Sequence, residues 1–264
     1  MKLPENLASL HNGEESLWIK AIEIIEQDQD LSAHVDLIER AMNLIQFFVR
    51  EHVADGSDQE TIQLFGIRLF NGLASAFRLI TGGYFQTAAM IQRDLLETVF
   101  LITYLRIHPE KITTWRMADE KTRQKVFGPA PIRIALDKHE GFTEKKREAA
   151  YKQFCELAAH PTYKGFQMLA PKGLGAHCGP FLDQPTLKAL IEEHVKLALQ
   201  AGEAFTVFFP TNALADVKNK LHFMEGSVEW VKRYYKKTFY KSELADLRNL
   251  LDKIQESNLD QPSE

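Results

Sequence analysis

A chain of 264 residues with 45% hydrophobic and 26% charged residues has ordinary globular composition and enough length to bury a core without staples. Its 36 acids against 32 lysines and arginines leave a net charge of -4, so no general attraction pulls it toward nucleic acid or an anionic membrane, and any such binding must come from a local patch. Two cysteines, Cys155 and Cys178, are too few for a disulfide scaffold and fit a reducing compartment.

The opening MKLPENLASLHNGEES has no apolar stretch behind Lys2, which predicts no secretory signal. The most apolar run, residues 95–105, is interrupted by Glu97 and is too short to span a bilayer. These features predict a cytoplasmic protein with no transmembrane segment.

Helical periodicity dominates the chain. Residues 14–27 place Leu17, Ala21, Ile24 and Ile25 on one stripe. A second helix is expected from Ser32, as N-cap, through Ile38, Met42, Ile45 and Val49. After the turn DGSDQ, Ser57 or Asp58 can cap a third helix running to Ile80. Gly82 and Gly83 break it, and a fourth runs from Tyr84 to Ile107, stopped by Pro109. The third helix carries Ile62, Phe65, Leu69, Leu73 and Phe77 on one side, with Leu64, Ile67 and Phe70 elsewhere. The fourth carries Ile91, Leu95, Val99 and Ile102, flanked by Leu96, Phe100 and Leu101. Helices apolar on most of their circumference belong in the middle of a bundle, and the short connection makes these two antiparallel neighbours. Gly66, Gly72, Ala74, Ala88 and Ala89 would let their backbones approach closely.

Beyond Pro109 the pattern weakens. A short helix holding Trp115 is expected, then an interruption at FGPAP (127–131), renewed helicity from Ile132, and another helix from Thr143 to His160, ended by Pro161. Residues 161–185 are rich in glycine and proline, and predict either a lid over the bundle end or a short β-hairpin. Pro185 opens a long helix through Leu190, Val195, Leu199 and Phe205 to Phe208. One or two further helices follow, the last over 241–254. The predicted fold is therefore all-α, a multi-helix bundle around a central apolar hairpin. Residues 1–210 form the bundle, and 211–264 form peripheral helices packed on the same domain.

Several residue groups carry potential chemistry. On the fourth helix Gln86, Arg93, Glu97 and Tyr104 return to one face, and on the third Arg68, Asn71, Ser75 and Arg78 nearly do the same. Charges in helices this apolar must be paired, or must face water or a ligand. They form either a cationic pocket for an anionic ligand, with arginine as the bidentate group, or an ion-pair network closed by acids on other helices. A second group is Tyr151, Glu156 and His160. Glu156 and His160, four residues apart, share a helical face. His160 at the helix end is either an acid, base or ligand beside the pocket or a helix-capping histidine.

The glycines Gly173, Gly175 and Gly179 have the wrong spacing for a dinucleotide fingerprint, and Lys172 precedes the glycines of what would be a P-loop. Cys155, His160, His177 and Cys178 are zinc-type donors, but adjacent His177 and Cys178 lack the usual gap, and no Glu-x-x-His pair is present. Neither a metal nor another cofactor is expected. Cys155 and His160, five residues apart, lie on different helix faces, which disfavours a nucleophile–base pair. Finally, WVKRYYKKTFYK (230–241) interleaves basic and aromatic residues. It could grip phosphates and bases or a membrane surface, or it is a solvated helix with inward aromatics and snorkelling lysines.

Arg93 and Glu97 on an apolar helix, followed by Tyr151, Glu156, Leu157 and His160, resemble helical bacterial families of unknown function, some of them related to HEPN-like domains. That resemblance implies an all-α bundle and, for some HEPN members, metal-independent RNA cleavage in defence or toxin systems through an Arg-x4-6-His motif. The matching positions are Arg133 and His139 in RIALDKH. The leading expectation is a binding or regulatory protein for a small anionic ligand held by Arg93, Glu97, Tyr151, Glu156, His160 and Arg78. The alternatives are an RNA-cleaving enzyme with Arg133 and His139 as catalytic residues, and a structural module acting as a homodimer.

Overall fold

The computed structural model describes residues 3–171, 173–237 and 241–259, and among them the structure is all-α, with no β-strand. The helices are α1 (Glu5–Gln27), α2 (Gln29–Arg50), α3 (Ser57–Thr81), α4 (Phe85–Ile107), α5 (Lys111–Met117), α6 (Glu120–Phe127), α7 (Pro129–Glu140), α8 (Lys146–Phe154), α9 (Gln184–Thr206), α10 (Leu214–Tyr235) and α11 (Lys241–Leu259). None is long and apolar enough to cross a membrane.

The corner between α1 and α2 turns on Asp28, not Ser32. The Asp28 carboxylate accepts the N–H groups of Asp30 and Leu31 at 2.9 and 3.2 Å and so starts α2 early. Ser32 instead donates its hydroxyl to the Ile25 carbonyl at 2.8 Å, fastening the corner.

The core is built on α2, α3, α4 and α9. α2 and α9 share the broadest interface, and α4 lies against both α3 and α9. α4 is buried around most of its circumference, through Phe85, Ala88, Leu95, Leu96, Val99, Ile102 and Leu105. α3 is less central than its composition predicts: Ile62, Phe65, Leu69 and Leu73 are buried, while Leu64 and Ile67 are exposed. The two glycines of α3 also do different work. A Cβ on Gly72 would meet Leu95 of α4, whereas one on Gly66 would meet Phe205 of α9 and Val49 of α2.

α6 to α8 form a layer of short helices on one flank of α4, while α5 packs on α3. The FGPAP segment is a junction rather than a gap, because Pro129 occupies the first turn of α7, where its missing N–H costs nothing. α6 just before it is polar, with Phe127 alone buried, and is capped by the Asp119 carboxylate accepting the Thr122 N–H at 2.8 Å. α8 starts after Lys145 in the left-handed region, not at Thr143. Beyond Phe154 the chain widens into one π-turn, Cys155–Ala159, in which the His160 N–H donates to the Cys155 carbonyl at 3.1 Å.

Among the described residues of 161–183 there is one short 3₁₀ turn, Gly165–Leu169, and otherwise irregular chain. Phe181 returns to the α3–α4 turn, where its N–H donates to the Gly83 carbonyl at 3.2 Å and its ring meets Phe85 edge-on. Gly83 has φ +81° and lies so close to the Phe181 backbone that a Cβ would sit 2.5 Å from the Phe181 oxygen. At the other end, α10 buries Phe223, Trp230 and Val231, and α11 lies on α10.

Candidate functional site

The polar stripe of α4 is the seam on which the α6–α8 layer docks. At one end the Gln86 amide donates to the carbonyls of Leu157 and Gly165 at 3.3 and 2.9 Å, tying down the π-turn and the 3₁₀ turn together. At the other, the Tyr104 ring meets Phe127 of α6 edge-on, at 6.2 Å between centroids.

Between them lies a cluster of five side chains from three elements and the π-turn. Arg93 donates Nε–H to Cys155 Sγ at 3.1 Å and Nη2–H to the Tyr151 hydroxyl. Its Nη2 also lies 2.8 Å from Glu97 Oε1, one helical turn along α4. That distance gives strong charge attraction, yet this buried Glu97 oxygen has no aligned hydrogen-bond donor. The guanidinium carbons of Arg93 and Arg133 lie over the Tyr151 ring, 4.9 and 4.2 Å from its centroid. Arg133, on α7, is only 8% exposed, and its Nη1 is buried without any hydrogen-bond partner.

The electrostatics follow from this packing. Burial pushes the Tyr151 phenol up to about 12, helped by its hydrogen bond to Glu97 and opposed by the one from Arg93, so Tyr151 stays neutral at physiological pH. Burial works against the charge of Arg93, but its bonds to Cys155 and Tyr151 and the nearby Glu97 carboxylate outweigh that effect and raise its pKa. Glu97 thus balances Arg93, while Arg133 feels only the more distant Glu148 carboxylate of α8, itself paired with Lys152.

A cavity of about 300 Å³ adjoins the cluster, with Glu97 as a common wall. Phe65, Trp115 and Phe127 give it aromatic sides, and Arg68, Asp94 and Arg123 supply charge. Arg68 is ion-paired with Asp94 and donates Nε–H to the Thr98 hydroxyl at 3.3 Å. Arg123 donates to the Ala118 carbonyl at 3.1 Å.

Of the residues singled out from the sequence for ligand binding, Arg93, Glu97 and Tyr151 come together. Arg78 does not join them: it stacks over Trp18 at 5.4 Å and pairs with Glu15 of α1 at 3.3 Å. Glu156 is exposed and paired with Lys164 at 2.8 Å. His160 is exposed, in extended backbone past the π-turn. α-Helical spacing puts the two on one face, and the π-turn breaks that phase. Arg133 and His139 also do not meet. Six residues put them about 120° apart around α7, with Arg133 buried and His139 exposed.

Two members of the cluster escaped the ligand reading, Arg133 and Cys155. The signal for Arg133 is that Ile132, Arg133 and Leu136 occupy a single buried stripe of α7. Among the described residues no three His, Cys, Asp or Glu side chains are grouped as metal donors. Cys155 belongs to the Arg93 cluster, and Cys178 is exposed. In the basic-aromatic run, Trp230 donates to His34 Nδ1 at 2.9 Å, while Arg233 and Tyr234 both engage Asp30, at 2.7 and 2.8 Å. Residues 238–240 of that run lie outside the described residues.

No protein-family model matches this sequence, and neither a curated protein nor a solved structure does.

Proposed function

We propose that the protein binds a small anionic ligand at the seam between α4 and the α6–α8 layer, as a binding or regulatory protein. The observation that carries this reading is Arg133, a guanidinium nine-tenths buried with an unpartnered Nη1. A buried donor left without an acceptor costs about 1–3 kcal/mol, more for a charged group, and an anion supplied from outside would remove that cost. In the cluster Arg93 and Arg133 stand against Glu97 and the more distant Glu148, and the adjoining cavity adds Arg68 and Arg123 against Asp94. Arginine forks bind carboxylate and phosphate oxygens bidentately, and the aromatic walls suit a compact, flat body. Tyr151, held neutral, acts here as a hydrogen-bonding and stacking surface.

The test is a thermal-shift and calorimetric titration with inorganic phosphate, benzoate and AMP as probes. At least one is expected to raise the melting temperature and to bind saturably. Arg133→Met should weaken that binding by at least about tenfold, the worth of a hydrogen bond to a charged group. It should leave the unliganded protein as stable as before, since an apolar side chain replaces an unpaired buried cation. If no probe binds and Arg133→Met unfolds the layer, the cluster is purely structural and the proposal fails.

A further inference from the structure

Among the described residues, α11 packs on α10 alone of the long helices. Its apolar stripe of Leu244, Leu247, Leu250, Leu251 and Ile254 is nowhere fully buried, and the ion pair Arg248–Glu225, at 2.7 Å, anchors it to α10. Beneath it, against α9 and α10, lies a cavity of about 480 Å³. Val207, Phe223, Met224, Leu247 and Leu250 give it apolar walls. A volume of this size is within the range of small-molecule sites.

The polar groups of this cavity are ordered by depth. Inside is Lys220, whose ammonium donates to the Phe209 carbonyl at 2.6 Å and the Thr211 hydroxyl at 2.8 Å, and lies 5.3 Å from the centre of the Phe48 ring. No carboxylate among the described residues is within ion-pair distance of it, because Asp216, the nearest acid by its electrostatic effect, is turned to the Asn212 and Ala213 N–H groups. One ammonium N–H is thus left over. The Thr206 hydroxyl, another lining group, is buried without a partner. Arg106 sits at the edge shared with a smaller cavity of about 170 Å³. Three acids also line the cavity: Glu243 and Asp246 are exposed on α11, at its rim, and Glu203 is already engaged within the protein.

We propose that this cavity binds a medium-chain monocarboxylate, its two oxygens taken by the Lys220 ammonium and the Thr206 hydroxyl and its hydrocarbon chain laid between Phe223, Met224 and the leucines of α11. The stoichiometry of donors fits a single carboxylate. A dianion would leave charge unmet and would face the acids of α11. The chain would complete the burial that α11 lacks, so binding and docking of α11 are coupled.

Octanoate and octan-1-ol, equal in chain length and different in head group, are the probes, titrated calorimetrically into the full-length protein. Octanoate should bind one to one and at least about tenfold tighter than the alcohol. Lys220→Met should reduce octanoate to the affinity of the alcohol. Because Lys220 also supports the chain at Phe209, a second variant is needed. Val207→Trp, at a half-exposed wall position, should fill the cavity and abolish both bindings with the helical circular dichroism intact. Arg133→Met should leave octanoate binding untouched, which separates this site from the α4 seam. Equal affinity for acid and alcohol, undiminished binding in Val207→Trp, or no octanoate binding to the native protein would each overturn the proposal.

Discussion

Gln92 and Arg93 are adjacent on α4 and face two different interiors. Gln92 is fully buried toward α9, where its amide donates to the Leu190 carbonyl at 2.8 Å. One turn further along α9, fully buried His194 donates Nε2–H to the Leu73 carbonyl of α3 at 3.1 Å. Both are neutral, and both spend their donor on a backbone carbonyl of a neighbouring helix. Arg93, by contrast, points into the seam with the α6–α8 layer, where its side chain and that of Glu97 keep 24% and 26% of their exposure and their charges. The dry interface admits polar groups only in neutral form, while the half-wet seam retains ions, and only the seam is chemically equipped to recognise an anion.

The largest effect is expected where a charge is forced into the dry side. Gln92→Glu puts a carboxylate opposite the Leu190 carbonyl with no cation near, and should cost about 3–5 kcal/mol in urea unfolding at neutral pH, the cost of an uncompensated buried charge. A loss below about 1 kcal/mol, the size for an exposed pair, would mean that water enters between α4 and α9 and that the two interiors are alike.

His194 provides the next test, by pH. Burial drives its imidazole down from 6.5 to about 4, partly opposed by the Leu73 bond. The folded pKa lies below the unfolded one, so stability is complete above about 6.5, falls as the pH drops toward about 4, and levels off below that. The fall should amount to roughly 3 kcal/mol for this fully buried group. Subtracting the unfolding free energies of His194→Phe from those of the native protein at each pH isolates it from His34 and the carboxylates. A difference that stays flat across that interval would show that His194 is not held neutral.

The same contrast explains what could be read without coordinates. Long helices with an unbroken apolar stripe, such as α4 and α9, declare themselves because burial of many side chains sets one period. α6 does not, since Phe127 is its one buried anchor. Spacing also brought Arg93 and Glu97 together correctly because α4 is regular there, and it failed for Glu156 and His160 because the π-turn inserts a residue between them. Leu64 and Ile67 show another limit: a helix with two apolar stripes does not say which will find a neighbour. Arg133 lay in a buried stripe, but its importance depends on Tyr151, eighteen positions away in sequence, arriving over it.

The smallest and most specific effect belongs to Glu97→Gln. The carboxylate is partly exposed, and Arg93 would keep Tyr151 and Cys155, so the loss of stability should stay within about 1 kcal/mol, as for other pairs open to solvent. The charge of the seam would nevertheless change. Glu97 is one of the causes holding the Tyr151 phenol near 12, through both its hydrogen bond and its negative charge. Without it, burial and the weaker Cys155 hydrogen bond still oppose ionisation while Arg93 favours the phenolate, so Tyr151 should titrate at lower pH. An alkaline ultraviolet titration of the variant against the native protein would show one tyrosine moving, with Tyr84 and Tyr234, which are held up by Glu14 and Asp30 and by their own burial, as internal references. If no tyrosine moves, Glu97 does not govern the phenol, and the seam is a set of separate contacts rather than one coupled cluster. If Tyr151 moves and anion affinity rises at the same time, removing the Glu97 carboxylate has left the Arg93 guanidinium free for the ligand, the outcome expected of an anion site that Glu97 partly occupies.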